Sequence, residues 1–258
     1  MVVGVPWVWA EEKTDESVEP MVITQDTVLA KDAVLDRPIV IQASGITLDG
    51  NGATLEGPGK AEDPESFQGT GITAEGCSNV TLRGIKVRGF RVGLSVENGE
   101  QWSIEDCDFS DNYTNPEIRW NRGFRFGGIV LTNVRGSTIR RNTAQRVWDG
   151  LDMARCDDNT ITENNFSHCT NICLRMWNCC RNVVEDNVLS YGFRLRPGDG
   201  HAYDSACVML ESGSDDNRFV RNDVTHGGDG IFVRALDSMG NVFIENDCSW
   251  ANNNCIEC

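Results

Sequence analysis

The chain has 258 residues, a formal net charge of −16 and a sequence pI near 4.5. Phosphate binding needs a net basic surface, so this balance argues against a nucleic-acid partner and leaves room only for a local basic groove. No stretch approaches the ~20 apolar residues needed to span a membrane, and the length fits one elongated domain.

Met1 to Ala10 is short and apolar and runs into Glu11, Glu12, Asp15 and Glu16. The stretch reads as the tail of a secretory signal peptide with cleavage after Ala10, although it lacks a basic n-region. The expectation is an extracytoplasmic protein, periplasmic or secreted. Residues 1–20 then form a signal-like remnant and a disordered acidic segment, and 21–258 the folded domain.

From Val22 to Ile41, short apolar pairs alternate with polar residues and read as strands of an opening coil. Beyond them one phrase, apolar-x-x-anchor-x-apolar, keeps returning. The anchors are Asn51, Ile85, Cys107, Asn142, Asn164, Asn187, Asn222 and Asn246, at intervals of 34, 22, 35, 22, 23, 35 and 24 residues. Three places before them stand Leu48, Leu82, Ile104, Ile139, Ile161, Val184, Phe219 and Phe243. Two places after them stand Ala53, Val87, Phe109, Ala144, Phe166, Leu189, Val224 and Cys248. A second short strand follows, as in Leu94–Val96, Ile129–Leu131, Leu151–Met153, Ile172–Leu174, Cys207–Met209 and Ile231–Val233.

Short alternating strands repeated every twenty-odd residues predict an all-β, single-stranded parallel β-helix of about eight or more coils. A single coil cannot bury its inner face, so coils stack with like residues in register. The Asn anchors fit an inward-turning corner where side-chain amides bond along the stack. No segment holds the 3.6-residue period of a helical solenoid.

Three intervals carry about a dozen extra residues, at 57–70, 114–126 and 193–205. All three follow the post-anchor apolar residue and precede the second strand, so they leave from one corner. Insertions on one face of a repeat protein commonly mark its binding face. Of the 11 cysteines, Cys107, Cys207, Cys248 and Cys255 fall at interior positions and read as small, free, apolar side chains. Cys169, Cys173, Cys179 and Cys180 lack CxxC spacing, which argues against zinc. The sequence stops at Cys258 inside a second strand without a polar cap, so a C-terminal continuation or an oligomer partner is expected over the last coil.

Residues at one offset form a column with a spacing of about 4.8 Å. Four places after the anchors the column is Gly89, Asp111, Arg146, His168, Tyr191, His226 and Trp250. His168 and Tyr191 should lie about 5 Å apart, and His168 and His226 about 10 Å apart. A neighbouring column holds Asp149, Asp152 and Asp229, and its Asp152 is a candidate for Ca2+ or a sugar hydroxyl. Asp-Gly is also ordinary turn chemistry at Asp149 and Asp229. Those two should be about 14 Å apart, too far for a two-carboxylate glycosidase.

Arg119, Arg122, Arg125, Arg194 and Arg196 lie in the insertions, with Arg175 and Arg234 outward on strands. They point to a carboxylated or sulfated ligand, which guanidinium groups bind in bidentate fashion, or else they pair with local acids. Trp120, Tyr203 and Trp250 could stack on sugar rings, and His201 and Asp204 are loop candidates.

The repeat over residues 45–256 and the opening phrase Gly45-Ile-Thr-Leu-Asp-Gly-Asn-Gly-Ala-Thr-Leu55 resemble the right-handed parallel β-helix superfamily. That superfamily includes pectate-lyase-like enzymes, mannuronan epimerases and NosD-like periplasmic proteins. Tyr191-Gly192-Phe193 begins like the epimerase motif but continues Arg-Leu-Arg. The resemblance implies an exported protein directed at an acidic polysaccharide, by lyase or C5-epimerase action on a uronate-containing glycan. Arg175 or Arg194, with Ca2+ at Asp152, would neutralise the carboxylate, while His168, Tyr191 and His226 would supply base and acid. The alternatives are a non-catalytic carbohydrate-binding or structural module and, third, a NosD-like metal-related protein.

Overall fold

The computed structural model describes residues 19–118, 123–194, 205–234 and 237–258. Its strands are all parallel within the sheets and stack coil on coil, which makes the chain a parallel β-helix. A ten-stranded sheet runs from Met21–Ile23 to Ile256–Glu257, and a nine-stranded sheet from Thr27–Val28 to Val242–Ile244. A third, three-stranded sheet is continued by single bridges through Asp108, Thr143, Asn165, Val188, Asp223 and Asp247.

The register is the one the repeat dictates. Leu48, Leu82, Ile104, Ile139, Ile161, Val184, Phe219 and Phe243 pair in succession down the nine-stranded sheet. All but Phe243, in the last coil, are buried to within 1% of complete closure. Across the core, Ile72, Leu94, Ile129, Leu151, Leu174, Val208 and Ile231 form the inner row of the ten-stranded sheet. Each coil alone would expose both rows, so the solenoid is held by burial between neighbours.

The corners of each coil are made by residues in left-handed backbone conformation. Asp106, Arg141, Glu163, Asp186, Arg221 and Glu245 stand just before the anchors with φ between 51° and 57°. That twist turns the next side chain inward. The Asn142, Asn164 and Asn187 backbone N–H groups donate to Oδ1 of Asn164, Asn187 and Asn222 at 2.9, 2.9 and 3.1 Å. Their Nδ2 groups donate to the carbonyls of Ile104, Ile139 and Ile161. A second ladder, Asn159–Asn182–Asn217–Asn241, does the same at another corner. Left-handed backbone costs an L-residue about 1–2 kcal/mol, and the amide ladders offset it by satisfying buried corner groups.

The insertions leave from the corner that precedes the ten-stranded sheet. The first two pack together outside the barrel, where Phe67, Tyr113 and Trp148 form a second small core with Ile118 and Phe126. All eleven cysteines are free thiols. Cys107 and Cys207 are buried as expected, but Cys248 is half-buried and Cys255 exposed, since both belong to the outermost coils.

Candidate functional site

The outer face of the ten-stranded sheet should meet solvent, yet part of it is closed. Asp152, Arg175 and Met209 are in direct register across three strands, and their side chains alternate with the inward Leu151, Met153, Leu174 and Met176. Asp152 is 1% exposed and Arg175 5%. Arg125, from the end of the second insertion, reaches over them and donates from Nε and Nη2 to Asp152 Oδ1 at 3.1 and 2.9 Å. Its Nη1 also donates to the Thr132 hydroxyl at 2.7 Å.

The charges continue across the coils. Arg175 Nη1 lies 3.6 Å from Asp152 Oδ2, and Arg175 Nε donates to Glu211 Oε2 at 2.8 Å. Glu211 in turn lies 3.7 Å from Arg234. Among the described residues, three guanidinium groups thus alternate with two carboxylates, a net charge of +1 for these five side chains within a strongly acidic protein. The strip is closed at its centre and open at its ends, since Arg125 and Arg234 keep about a third of their side chains exposed (28% and 34%). Beside it opens a cavity of about 340 Å³ lined by Gly123, Arg125, Asp152, Arg175 and Trp177.

A buried branch lies at the start of the same strand. Asp149 Oδ1 accepts from Asn171 Nδ2 at 2.7 Å and from the Ile172 N–H at 3.1 Å. Its Oδ2 has no hydrogen-bond partner among the described residues. Burial, reinforced by the Asp152 charge and opposed by Arg175, pushes the Asp149 carboxyl up to about 8, so it is protonated at neutral pH. Asn171 also accepts from Arg194 Nη1, and the Arg194 guanidinium lies 5.9 Å from the Trp148 ring centroid. For Arg175, burial acts to lower the value, but the acids Asp152, Asp149 and Glu211 outweigh it and hold the guanidinium above its ordinary range.

The column at the corner is a different surface. His168 stacks on Tyr191 with centroids 4.5 Å apart, Tyr191 on His226 at 4.7 Å, and His226 on Trp250 at 6.3 Å. All four residues have left-handed backbone, with φ between 58° and 61°. They form an exposed aromatic ridge whose ring faces are turned toward one another. Arg146 continues the column through ion pairs with Asp111 at 2.6 and 2.8 Å and lines a second cavity with Glu56, Arg88 and Phe67.

The sequence pattern described as a right handed beta helix region matches residues 44–224, well over half of the chain. The chain belongs to the right-handed β-helix family. No curated protein matches the sequence. Among solved structures, this β-helix is similar to the pectate lyase Pel9A, at 15% identity with a TM-score of 0.60, covering 89% of this chain and 60% of the lyase. It is similar to the periplasmic alginate epimerase AlgG at 12% identity and TM-score 0.55, covering 86% of this chain and 62% of the epimerase. DFA-IIIase from Arthrobacter chlorophenolicus A6 matches at 13% identity and TM-score 0.53, covering 79% of this chain and 49% of that one. The β-helix therefore spans less than two thirds of the length of each. Identities this low establish a shared fold.

Within this β-helix the residues singled out from the sequence separate into two groups. Asp149, Asp152, Arg175, Arg194 and Arg234 belong to the charged strip and its buried branch. Arg146, His168, Tyr191, His226 and Trp250 belong to the ridge, and no ring of the ridge lines the strip's cavity. Asp229 lies in the same row as Asp149, three coils on, and accepts from the Asn254 N–H at 3.1 Å. Trp120, His201, Tyr203 and Asp204 lie outside the described residues. The Ca2+ expected at Asp152 is not supported, because the carboxylate sits between two guanidinium groups that already supply the positive charge. Among the described residues no three His, Cys, Asp or Glu side chains stand close enough to hold a metal ion. Glu211, Asn171, Trp148 and Trp177 were missed. For Glu211 and Trp177 the available signal was register, since Ala154, Trp177 and Glu211 occupy one row two places beyond Asp152, Arg175 and Met209.

Proposed function

We propose that this β-helix binds a uronate-containing polysaccharide along the outer face of the ten-stranded sheet. The observation that carries the reading is the cavity floored by Asp152 and Arg175, edged by Arg125 and flanked by the 38%-exposed Trp177. An indole beside guanidinium groups suits a sugar ring that carries a carboxylate, the ring stacking on Trp177 and the carboxylate meeting the net positive strip. Arg125 is held by Asp152 and Thr132 in advance, which limits the side-chain entropy lost on binding. The apolar Met1–Ala10 stretch supports an extracytoplasmic setting, where such polymers are met.

Calorimetry against a panel of uronate-containing glycans and a neutral glucan tests this. Arg125→Gln and Trp177→Ala, both at partly open positions, should each lower affinity for the acidic glycan about tenfold or more. Equal affinity for the neutral glucan, or no effect of either variant, would overturn the reading.

Turnover by lyase or C5-epimerase chemistry is the second reading. It is favoured by Asp149, since a carboxyl pushed up to about 8 beside Asp152 and Arg175 is the kind of group active sites contain. The folds shared with a pectate lyase and an alginate epimerase support it too. Ultraviolet absorbance of an unsaturated product and proton exchange at C5 followed by NMR test it; binding without either signal leaves a non-catalytic module.

A further inference from the structure

The same outer face continues toward the N-terminus and changes sign. Val40, Thr73, Ser95, Val130, Asp152 and Arg175 are paired one after another in a single row. The adjacent row runs Glu75, Glu97, Thr132, Ala154 and Trp177. Over the first coils of these rows opens a cavity of about 650 Å³ lined by Gln42, Thr73, Glu75, Ser95 and Glu97, among others. Its polar groups are hydroxyls, an amide and two carboxylates. Glu75 and Glu97 are exposed, stand directly opposite each other in register, and have no ion-pair partner among the described residues.

Strand spacing sets the distances. Ser95 and Asp152 are two rungs apart, about 10 Å, and Thr73 and Arg175 four rungs apart, about 19 Å. A polysaccharide lying along the solenoid axis, with a rise of roughly 5 Å per sugar, would cross both cavities with about four units. A homopolymer of uronates would set carboxylates against Arg125 and Arg175 at one end. At the other end it would set them against Glu75 and Glu97, where like charges repel. Neutral sugars suit that end, because their hydroxyls donate to carboxylates and exchange hydrogen bonds with Thr73, Ser95 and Gln42.

We infer that the ligand is a heteropolysaccharide in which uronates are interspersed with neutral sugars, the acidic unit at Arg125 and Arg175 and neutral units along Thr73, Ser95, Glu75 and Glu97. The inference rests on the acidic-glycan reading above and narrows it to a substrate class. Charge complementarity and the unbroken register between the two cavities carry it.

Affinities are compared for oligosaccharides of equal length: a homopolyuronate, an unsulfated uronate–N-acetylhexosamine copolymer, and a neutral glucan. The copolymer should bind about tenfold or more tighter than the homopolyuronate. The double variant Glu75→Gln, Glu97→Gln lies on exposed positions and should close most of that gap by raising homopolyuronate affinity. Homopolyuronate binding as tight as the copolymer, with no change in the double variant, would overturn this inference and leave acidic-glycan binding standing. Failure of both acidic polymers to bind better than the glucan would remove both.

Discussion

Arg175 and Glu211 meet one coil apart on the outer face of the sheet, joined by a 2.8 Å Nε–Oε2 hydrogen bond with 6% and 3% of their side chains exposed. An ion pair on the outside of a solenoid would ordinarily be wet and weak; this one is closed over and shares its charges with Asp152 and Arg234.

Glu211→Ala should therefore destabilise strongly. Removing Glu211 leaves the buried Arg175 without its hydrogen-bonded acceptor and with only Asp152 at 3.6 Å, and breaking a buried pair in this way costs on the order of 3–5 kcal/mol. Arg175→Met together with Glu211→Met should cost much less than the sum of the single variants. Urea unfolding of the four proteins in a double-mutant cycle measures the coupling, and additive single effects would contradict it.

Asp149 predicts a pH dependence of stability. Its folded-state value of about 8 lies above the unfolded carboxylate value, so the native state holds a proton that the unfolded chain releases. Its contribution is fully present below the unfolded value near pH 4, declines as pH rises, and is gone once pH passes the folded value. Asp149→Asn keeps the shape and cannot ionise. Between about pH 5 and 8 the wild type should lose stability relative to this variant, and parallel melting-temperature curves would refute the assignment.

The ridge should invert a familiar preference. Tyr191 has φ = 60° and stacks on two imidazoles. Tyr191→Ala loses the stacking, roughly 0.5–1.5 kcal/mol per aromatic contact, and keeps the left-handed strain, whereas Tyr191→Gly loses the stacking and relieves the strain. Glycine should thus be the milder substitution by about 1 kcal/mol, in thermal denaturation. Neither should alter glycan affinity at the Arg125–Trp177 cavity, whose lining does not include the ridge.

Asn187→Ala should cost about 2–3 kcal/mol, because the Asn164 N–H and the Ile161 carbonyl both lose a partner in a dry corner. Asn187→Asp keeps an acceptor for Asn164 but loses the donor to Ile161, and should destabilise as well. Chemical denaturation distinguishes both from an exposed-position control such as Lys31→Ala.

The sequence was most informative where a physical requirement repeats. Leu82, Ile104 and Ile161 were legible as inner-face residues because every coil must bury the same position, and Asn142, Asn164 and Asn187 because every corner must satisfy the same backbone groups. Asn159, Asn182 and Asn217 obey that logic at a second corner, and the same spacing carries their signal. The stacking of His168, Tyr191 and His226 followed directly from a common offset.

The charged strip was not legible in this way. Asp152 and Arg175 could be placed on one outer row, but an outward row is exposed by default. Its closure depends on Arg125 crossing from an insertion and on Glu211 arriving from the next coil. Periodicity along the chain fixes which residues are neighbours in the stack, because the rise per coil is constant. Where an insertion folds back is decided by packing such as that of Phe67, Tyr113 and Trp148, which no period encodes. The repeat by itself determined the β-helix, its register and its columns; the tertiary structure alone decided which outward charges are withdrawn from water.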